Sequence, residues 1–135
     1  MSSKTLLLIP MLGLVTLLSA CAAVPKADPN EAWIGLQEDP LSDLMAERVD
    51  GKRLNDGRYF EVTPGSHRLD MTLYVDGMGD SNQEECQAHI DFNQFKAGEH
   101  YKLVETSLGT EYRVDLEDTH GKQLGKTKDF TCLAG

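Results

Sequence analysis

The stretch His67-Arg68-Leu69-Asp70-Met71-Thr72-Leu73-Tyr74-Val75 has the clearest periodicity in the chain. Its odd-numbered positions carry apolar side chains or histidine, and its even-numbered positions carry polar side chains or tyrosine. Because successive side chains of a β-strand point to opposite faces, this period of two predicts a strand with one buried face. The stretch therefore indicates a β-sheet protein.

Similar short segments flank this strand at a spacing of roughly ten residues. They are Ala32–Leu36, Leu44–Val49, Arg58–Thr63, Cys86–Phe92, Tyr101–Leu103, Tyr112–Leu116 and a last one around Phe130 and Cys132. Turn signals such as Asp50-Gly51 and Ala97-Gly98 separate them, and only Leu41–Ala46 could form a helical turn. The pattern predicts an all-β domain over residues 32–135, a small antiparallel β-sandwich or open barrel of about 7–8 short strands.

Residues 1–20 have the pattern of a cleaved secretory signal peptide. Lys4 gives a short basic start, and Thr5–Leu18 follows without a charge and with eight Leu or Ile side chains. This run is short of the ~20 apolar residues that a membrane-spanning helix needs. A short apolar segment between a basic start and small residues is typical of an export signal.

The end of this segment, Leu18-Ser19-Ala20-Cys21, resembles the lipobox of bacterial lipoproteins. The resemblance implies cleavage before Cys21, a diacylglyceryl group on its sulfur and acylation of the new amino terminus. Two or three acyl chains would hold the protein on a membrane, since each buried CH₂ contributes about 0.8 kcal/mol. Ala22 and Ala23 follow in place of an Asp, which implies sorting to the outer membrane, facing the periplasm. An ordinary signal peptide with a chance cysteine is the alternative.

The residues after the signal are predicted to form a tether and an acidic domain. Residues 21–31 contain two prolines and no apolar periodicity, which indicates a lipidated amino terminus followed by a flexible tether. Removal of Lys4 with the signal takes the net charge from −9 to −10. Nucleic acids and anionic lipids attract basic surfaces, so we expect neither as a partner. The charge favours a solvated surface, and it would also attract a basic partner.

Cys86 and Cys132 remain as a pair once Cys21 is assigned to the lipid. In an oxidising compartment an even number of cysteines predicts a disulfide, and closing a loop of about 47 residues would stabilise the fold by roughly 4 kcal/mol. Two free thiols, or a metal site that uses Cys86 and His89, are the alternatives. Positions three apart on a strand point to opposite faces, which disfavours the metal site.

Two segments resemble PEGA-type domains, which also occur in small cell-envelope lipoproteins. Residues 62–69, Val-Thr-Pro-Gly-Ser-His-Arg-Leu, are similar to their V-x-PG-x-H-x-L hairpin. Residues 97–103, Ala-Gly-Glu-His-Tyr-Lys-Leu, are similar to their later aGe-x-Y-x-L strand. The resemblance implies a small β-sandwich and supplies no catalytic motif and no binding role.

The sequence offers few candidates for catalysis or metal binding. His67 lies on the apolar face of its strand, where we expect a hydrogen-bonded core or turn histidine, and the other histidines fall on polar faces or in a turn: His89, His100 and His120. No Gly-x-Ser-x-Gly, His-Glu-x-x-His or phosphate-loop motif is present in the sequence. Part of the spacing of a calcium loop occurs at Asp80, Asn82, Glu84 and Asp91, but Glu85 replaces the glycine of the sharp turn. We expect no enzyme activity, no cofactor and no metal.

Five aromatic residues could form a ligand-stacking surface, but their alternating strand positions favour packing in the core: Trp33, Tyr59, Phe60, Tyr101 and Tyr112. Tyr74 alternates with apolar residues and is expected to face outward, where it would belong to an interaction surface.

Together these features predict a lipid-anchored cell-envelope lipoprotein, a non-enzymatic structural or interaction module whose partner would be another envelope protein. The alternative is a periplasmic inhibitor or ligand-binding protein that uses its acidic surface, for example against a basic wall hydrolase. Asp56-Gly57-Arg58-Tyr59 is only partly similar to the Ser-Gly-Arg-Tyr type motif of lipoprotein lysozyme inhibitors.

Overall fold

The computed structural model describes residues 24–40, 42–76, 83–108, 111–127 and 130–133. Ten strands lie within these ranges: β1 (Ala32–Gln37), β2 (Ser42–Val49), β3 (Lys52–Arg53), β4 (Tyr59–Val62), β5 (Gly65–Asp76), β6 (Gln83–Phe95), β7 (His100–Leu108), β8 (Glu111–Glu117), β9 (Gln123–Lys126) and β10 (Thr131–Leu133). Across the described ranges, no helix has the length and hydropathy needed to cross a membrane. The predicted signal peptide and Cys21 lie outside the described residues.

The strands form two five-stranded sheets that pack face to face as a β-sandwich. The first sheet has the order β4-β1-β7-β8-β9, and the second has the order β10-β6-β5-β2-β3. The predicted all-β sandwich is confirmed, with more strands than expected. Two strands were not recognisable in the sequence, because β3 has only two residues and β9 has no apolar alternation. One neighbouring pair, β1 and β7, is parallel, whereas the sequence predicts antiparallel pairing throughout.

The core lies between the two sheets and follows the alternation of β5. Leu69, Met71 and Leu73 are almost completely buried, as the period of two predicts. The first sheet contributes the facing layer, whose large, fully buried side chains are Ile34, Phe60, Leu103, Val114 and Leu116. Burial of each such side chain stabilises the fold by roughly 1.5–3 kcal/mol, so this layer determines which face of each strand points outward.

The connection at Pro64-Gly65 is not a hairpin, which corrects the prediction from the PEGA-like segment. β4 pairs with β1 in the first sheet, whereas β5 pairs with β2 and β6 in the second. The two residues therefore carry the chain from one sheet to the other. Gly65 has φ +113°, a backbone conformation that a side chain disfavours, and this explains the glycine at the crossing.

Two other turn signals have the roles that their sequences indicate. Asp50 and Gly51, with φ of 51° and 84°, form the tight turn that joins β2 to β3. This pair of left-handed residues is the geometry that a two-residue hairpin turn requires. The turn at Ala97-Gly98 follows β6 and returns the chain from the second sheet to the first.

Candidate functional site

The outer face of the first sheet carries a stacked aromatic pair. The rings of Trp33 and Tyr59 have centroids 4.2 Å apart and planes 10° from parallel. Their chain neighbours Ile34 and Phe60 are completely buried, so alternation turns Trp33 and Tyr59 outward. The prediction that both rings belong to the core is wrong, because alternation identifies two faces without saying which one the opposite sheet covers.

The other aromatic residues of that group pack inward as predicted. Phe60 and Tyr101 belong to the buried core, and Tyr112 packs against it while partly exposed. Tyr101 meets Phe95 edge to face with ring centroids 5.1 Å apart, and its hydroxyl accepts the Lys96 backbone N–H at 3.0 Å. Tyr74, expected to face outward, is half-buried, and burial together with nearby Glu85 raises its pKa.

A groove of about 470 Å³ lies beside Trp33 on the same outer face. Its floor contains Gly35 on β1, and the register places Trp33 beside His100 and Gly35 beside Lys102. β8 supplies the far side, because Lys102 pairs with Glu117. Thr119 and Gly121, in the turn after β8, also line the groove. Ligand sites in proteins have volumes of roughly 300–1,000 Å³, so the groove is large enough for a small molecule.

The charged side chains of the groove differ in whether the described residues supply them with hydrogen-bond or ion-pair partners. Asp118 Oδ1 accepts the backbone N–H groups of His120 and Lys122, each at 2.9 Å. These backbone hydrogen bonds lower the pKa of Asp118, whose carboxylate therefore maintains the turn. Among the described side chains, none forms an ion pair within 4.0 Å of Lys102 or Glu117. These two groups are the ones that a ligand would meet.

His67 belongs to a hydrogen-bonded turn, as the sequence predicts. Its Nδ1 lies 2.6 Å from Asp50 Oδ2, and its Nε2 lies 3.0 Å from Thr63 Oγ1 and 2.8 Å from the Thr63 carbonyl oxygen. The carboxylate, imidazole and hydroxyl have the order of a catalytic triad. However, a carbonyl oxygen only accepts hydrogen bonds, so a proton on Nε2 satisfies it, and that proton prevents Nε2 from acting as a base toward Thr63. The cluster works as a structural clamp beside a groove that Asp50 and His67 also line.

Cys86 and Cys132 are joined by a disulfide with an S–S distance of 2.01 Å. They are directly paired residues of β6 and β10, and Cys86 is fully buried. The Glu84 carboxylate is close enough to the two sulfurs to form a possible donor set for a metal. Since the sulfurs are bonded to each other, neither is a thiolate that could bind a metal. The predicted disulfide is confirmed, and the alternative of a metal site that uses Cys86 is not.

One buried carboxyl group was not recognised from the sequence. Glu105 faces the sandwich interior on β7, where Ser42 Oγ lies 2.7 and 2.8 Å from its two oxygens and the Asp39 N–H donates at 3.2 Å. Burial raises the pKa of Glu105, and the negative charges of Asp39 and Glu38 act in the same direction, against the hydrogen bonds from Ser42 and Asp39. The group ties the loop before β2 to the first sheet.

The remaining residues that the sequence suggested for a metal or catalytic site are not brought together within the described part of the fold. Within the possible calcium loop, Asp80 and Asn82 lie outside the described residues, and Glu84 and Asp91 lie far apart along β6. His89 is exposed, 3.8 Å from Asp91 on the outer face of the second sheet.

In the segment that partly resembles an inhibitor motif, Asp56 binds Arg58 through Nε at 2.9 Å and Nη2 at 2.7 Å. These bonds lower the pKa of Asp56 to about 2 and keep the guanidinium of Arg58 against its own loop.

The sequence did not identify the groove residues Gly35, Lys102, Glu117 and Thr119. One signal was present, namely a glycine inside an otherwise apolar strand, Trp33-Ile34-Gly35-Leu36, where it weakens the strand unless something approaches it closely. Comparison with protein-family models, curated proteins and solved structures finds no match to this chain, so the geometry of these residues is the basis for assigning a function.

Proposed function

We propose that this chain is a lipid-anchored cell-envelope binding module without enzyme activity, held on the outer membrane through Cys21 and presenting the outer face of the first sheet to a partner. The lipobox-like segment Leu18–Cys21 supports the anchor. The aromatic pair and the groove over Gly35 support the binding role. The two parts of the proposal are tested separately.

The observation that carries the proposal is the small separation between Cys21 and the first backbone held by the domain. The Asp28 N–H donates to Glu61 Oε2 at 3.0 Å, and the Glu31 carbonyl accepts the Gly98 N–H at 2.9 Å. An extended chain spans at most about 3.6 Å per residue, so the segment from Cys21 to Asp28 reaches roughly 25 Å. A lipid on Cys21 would keep the domain close to the membrane surface.

The short reach also limits the choice of partner. β1 begins four residues after Asp28, so Trp33 and the groove are near the attached end of the domain. A partner of this face would itself lie near the membrane. This placement suits an envelope component better than a molecule free in bulk solution.

The anchor is tested by expressing the full chain in a bacterium with an outer membrane and measuring palmitate incorporation, membrane fractionation and the mass of the mature amino terminus. The parent chain should incorporate label, begin at Cys21 and fractionate with the outer membrane. Cys21→Ser should incorporate no label and leave the membrane fraction. Ala23→Ser, two residues further on, is the matched control and should behave as the parent.

A Cys21→Ser chain that stays on membranes as the parent does, or a mature chain that begins at another residue, would contradict the anchor.

The binding role is tested by crosslinking in intact cells with Trp33→Ala as the comparison. Loss of the crosslinked species in this variant, with retention in Met45→Ala on the other sheet, is the expected result. Equal crosslinking in both variants would exclude the proposed face.

A further inference from the structure

Neither backbone geometry nor packing requires a glycine at position 35. Gly35 is absent from the residues with positive φ, so an ordinary side chain suits its backbone. A Cβ built there would meet only the Tyr101 carbonyl oxygen, at 3.9 Å, which is ordinary contact. A glycine inside a strand destabilises it relative to alanine. The glycine leaves the floor of the groove open.

Trp33 is positioned to offer one ring face to an occupant of this groove. Tyr59, on β4, stacks on the indole from one side of β1. The groove lies on the other side, toward β7 and β8, and Trp33 lines it. The face of an aromatic ring is electron-rich, so it attracts groups whose hydrogens carry partial positive charge.

The polar groups of the groove determine which ligand charge is acceptable. Lys102 disfavours a cation and Glu117 disfavours an anion, and the net charge of −9 adds to the repulsion of anions. Lys102 donates hydrogen bonds, Glu117 accepts them, and the Thr119 hydroxyl does both. This combination fits an uncharged ligand with many hydroxyl groups and an apolar ring face.

We infer that the groove over Gly35 is a binding site for a neutral oligosaccharide. One sugar ring would lie over Gly35 with its C–H face against Trp33, and its hydroxyl groups would bind Lys102, Glu117 and Thr119. This inference names the ligand class of the face in the proposed function. Its test needs no membrane anchor, so failure of one proposal is distinguishable from failure of the other.

The protein contains a single tryptophan, so its intrinsic fluorescence reports directly on this groove. The full chain, purified in detergent, is titrated with two probes, the tetramer of N-acetylglucosamine and maltotetraose. We expect a saturable change in intensity or emission maximum with at least one probe. Calorimetric titration with that probe should give the same affinity.

Gly35→Val is the principal variant, because its Cβ makes only ordinary contact with the Tyr101 carbonyl oxygen, at 3.9 Å, and its two methyl groups add bulk at the floor. It should abolish the fluorescence response while the melting temperature stays at or above that of the parent. Glu117→Gln keeps the shape of the side chain and removes its charge, and it should weaken binding about tenfold, because a hydrogen bond to a charged group is stronger than one to a neutral amide. Gln87→Ala, exposed on the outer face of the second sheet, is the matched control and should bind as the parent.

Absence of a saturable response to both probes overturns the inference. So does binding that Gly35→Val leaves unchanged, because the sugar would then occupy another place. Binding that Gly35→Val and Glu117→Gln weaken, and that Gln87→Ala preserves, supports it.

Discussion

Asp50 ties the β2–β3 turn to the start of β5 by binding His67. The carboxylate Oδ2 lies 2.6 Å from the imidazole Nδ1, and Oδ1 accepts the Arg68 N–H at 2.8 Å. Asp50 is also the one non-glycine residue with positive φ among the described residues. An Asn or Asp side chain tolerates that conformation best, so both the backbone and the side chain of Asp50 serve the turn.

We predict that Asp50→Asn destabilises the fold and flattens its response to acid. The Arg68 N–H and the His67 imidazole lower the pKa of Asp50 below 3.8. A carboxyl with a lowered folded-state pKa stabilises the fold above its unfolded pKa, and this contribution is lost as pH falls through the folded-state value. Asparagine keeps the shape and the acceptor for Arg68 but loses the charge.

Thermal unfolding from neutral pH down to about pH 2 checks this prediction. The melting temperature of Asp50→Asn should lie below that of the parent at neutral pH, and the two should converge below pH 3.8. Asp43→Asn, an exposed aspartate on β2, is the matched control. If the parent and Asp50→Asn lose stability in parallel over the whole pH range, the charge of Asp50 contributes nothing to the free energy of unfolding.

A second prediction concerns Glu105, for which the sign is opposite. Burial raises the pKa of Glu105 above 4.5, so the folded protein binds this proton more tightly than the unfolded chain does. The stabilising contribution of the protonated group is complete at low pH and is lost as pH rises through the folded-state pKa. Glu105→Gln retains an acceptor for Ser42 and Asp39 without a charge to bury.

Glu105→Gln should therefore melt at or above the temperature of the parent at neutral pH, with the difference shrinking toward pH 4.5. Differential scanning calorimetry at several pH values measures it. Glu111→Gln, exposed on β8, should show no such pH-dependent difference. A Glu105→Gln chain that is less stable than the parent at neutral pH, with the deficit vanishing as the pH falls, would mean that the ionised carboxylate is needed for the hydrogen bonds.

The third prediction is that opening the Cys86–Cys132 disulfide costs roughly 4 kcal/mol of unfolding free energy, since the bond closes a long loop. The comparison is the oxidised parent against Cys86→Ala/Cys132→Ala in urea denaturation. Alanine is small and apolar, which suits the buried position of Cys86. Equal midpoints for the two chains would show that the disulfide does not stabilise the protein by constraining its unfolded state.

The fourth prediction contrasts two glycines. Gly65→Ala should lose about 1–3 kcal/mol because φ +113° is strained for alanine. Gly35→Ala should gain about 0.5–1 kcal/mol, since its backbone is ordinary and the space for Cβ is open. Urea denaturation of both variants measures the difference, and a loss at Gly35 comparable to that at Gly65 would contradict the assignment of the groove floor.

The all-β fold could be predicted because local alternation in stretches such as His67–Val75 reports directly on strands. What could not be predicted depends on contacts that are distant in sequence. Trp33 and Tyr59 look like core residues until Ile34 and Phe60 are seen to occupy the interior. Thr72 belongs to the polar side of its strand, yet it is buried, and its hydroxyl donates to Glu47 where β2 departs from regular pairing with β5.

The candidate site was hidden for the same reason. Gly35, Lys102 and Glu117 lie on three strands, and only the parallel pairing of β1 with β7 and the antiparallel pairing of β7 with β8 bring them together. No spacing along the chain encodes that arrangement. The turn glycines, by contrast, were recognisable individually because their backbone requirement is local.

The pairing of β1 with β7 also has a consequence for the order in which the protein assembles. Trp33 is held beside His100, so the first sheet has no central pair until most of the chain has been synthesised. Contacts between such distant segments form slowly, because a large entropy loss precedes them. Until β7 is available to pair with β1, the apolar faces of the early strands stay uncovered.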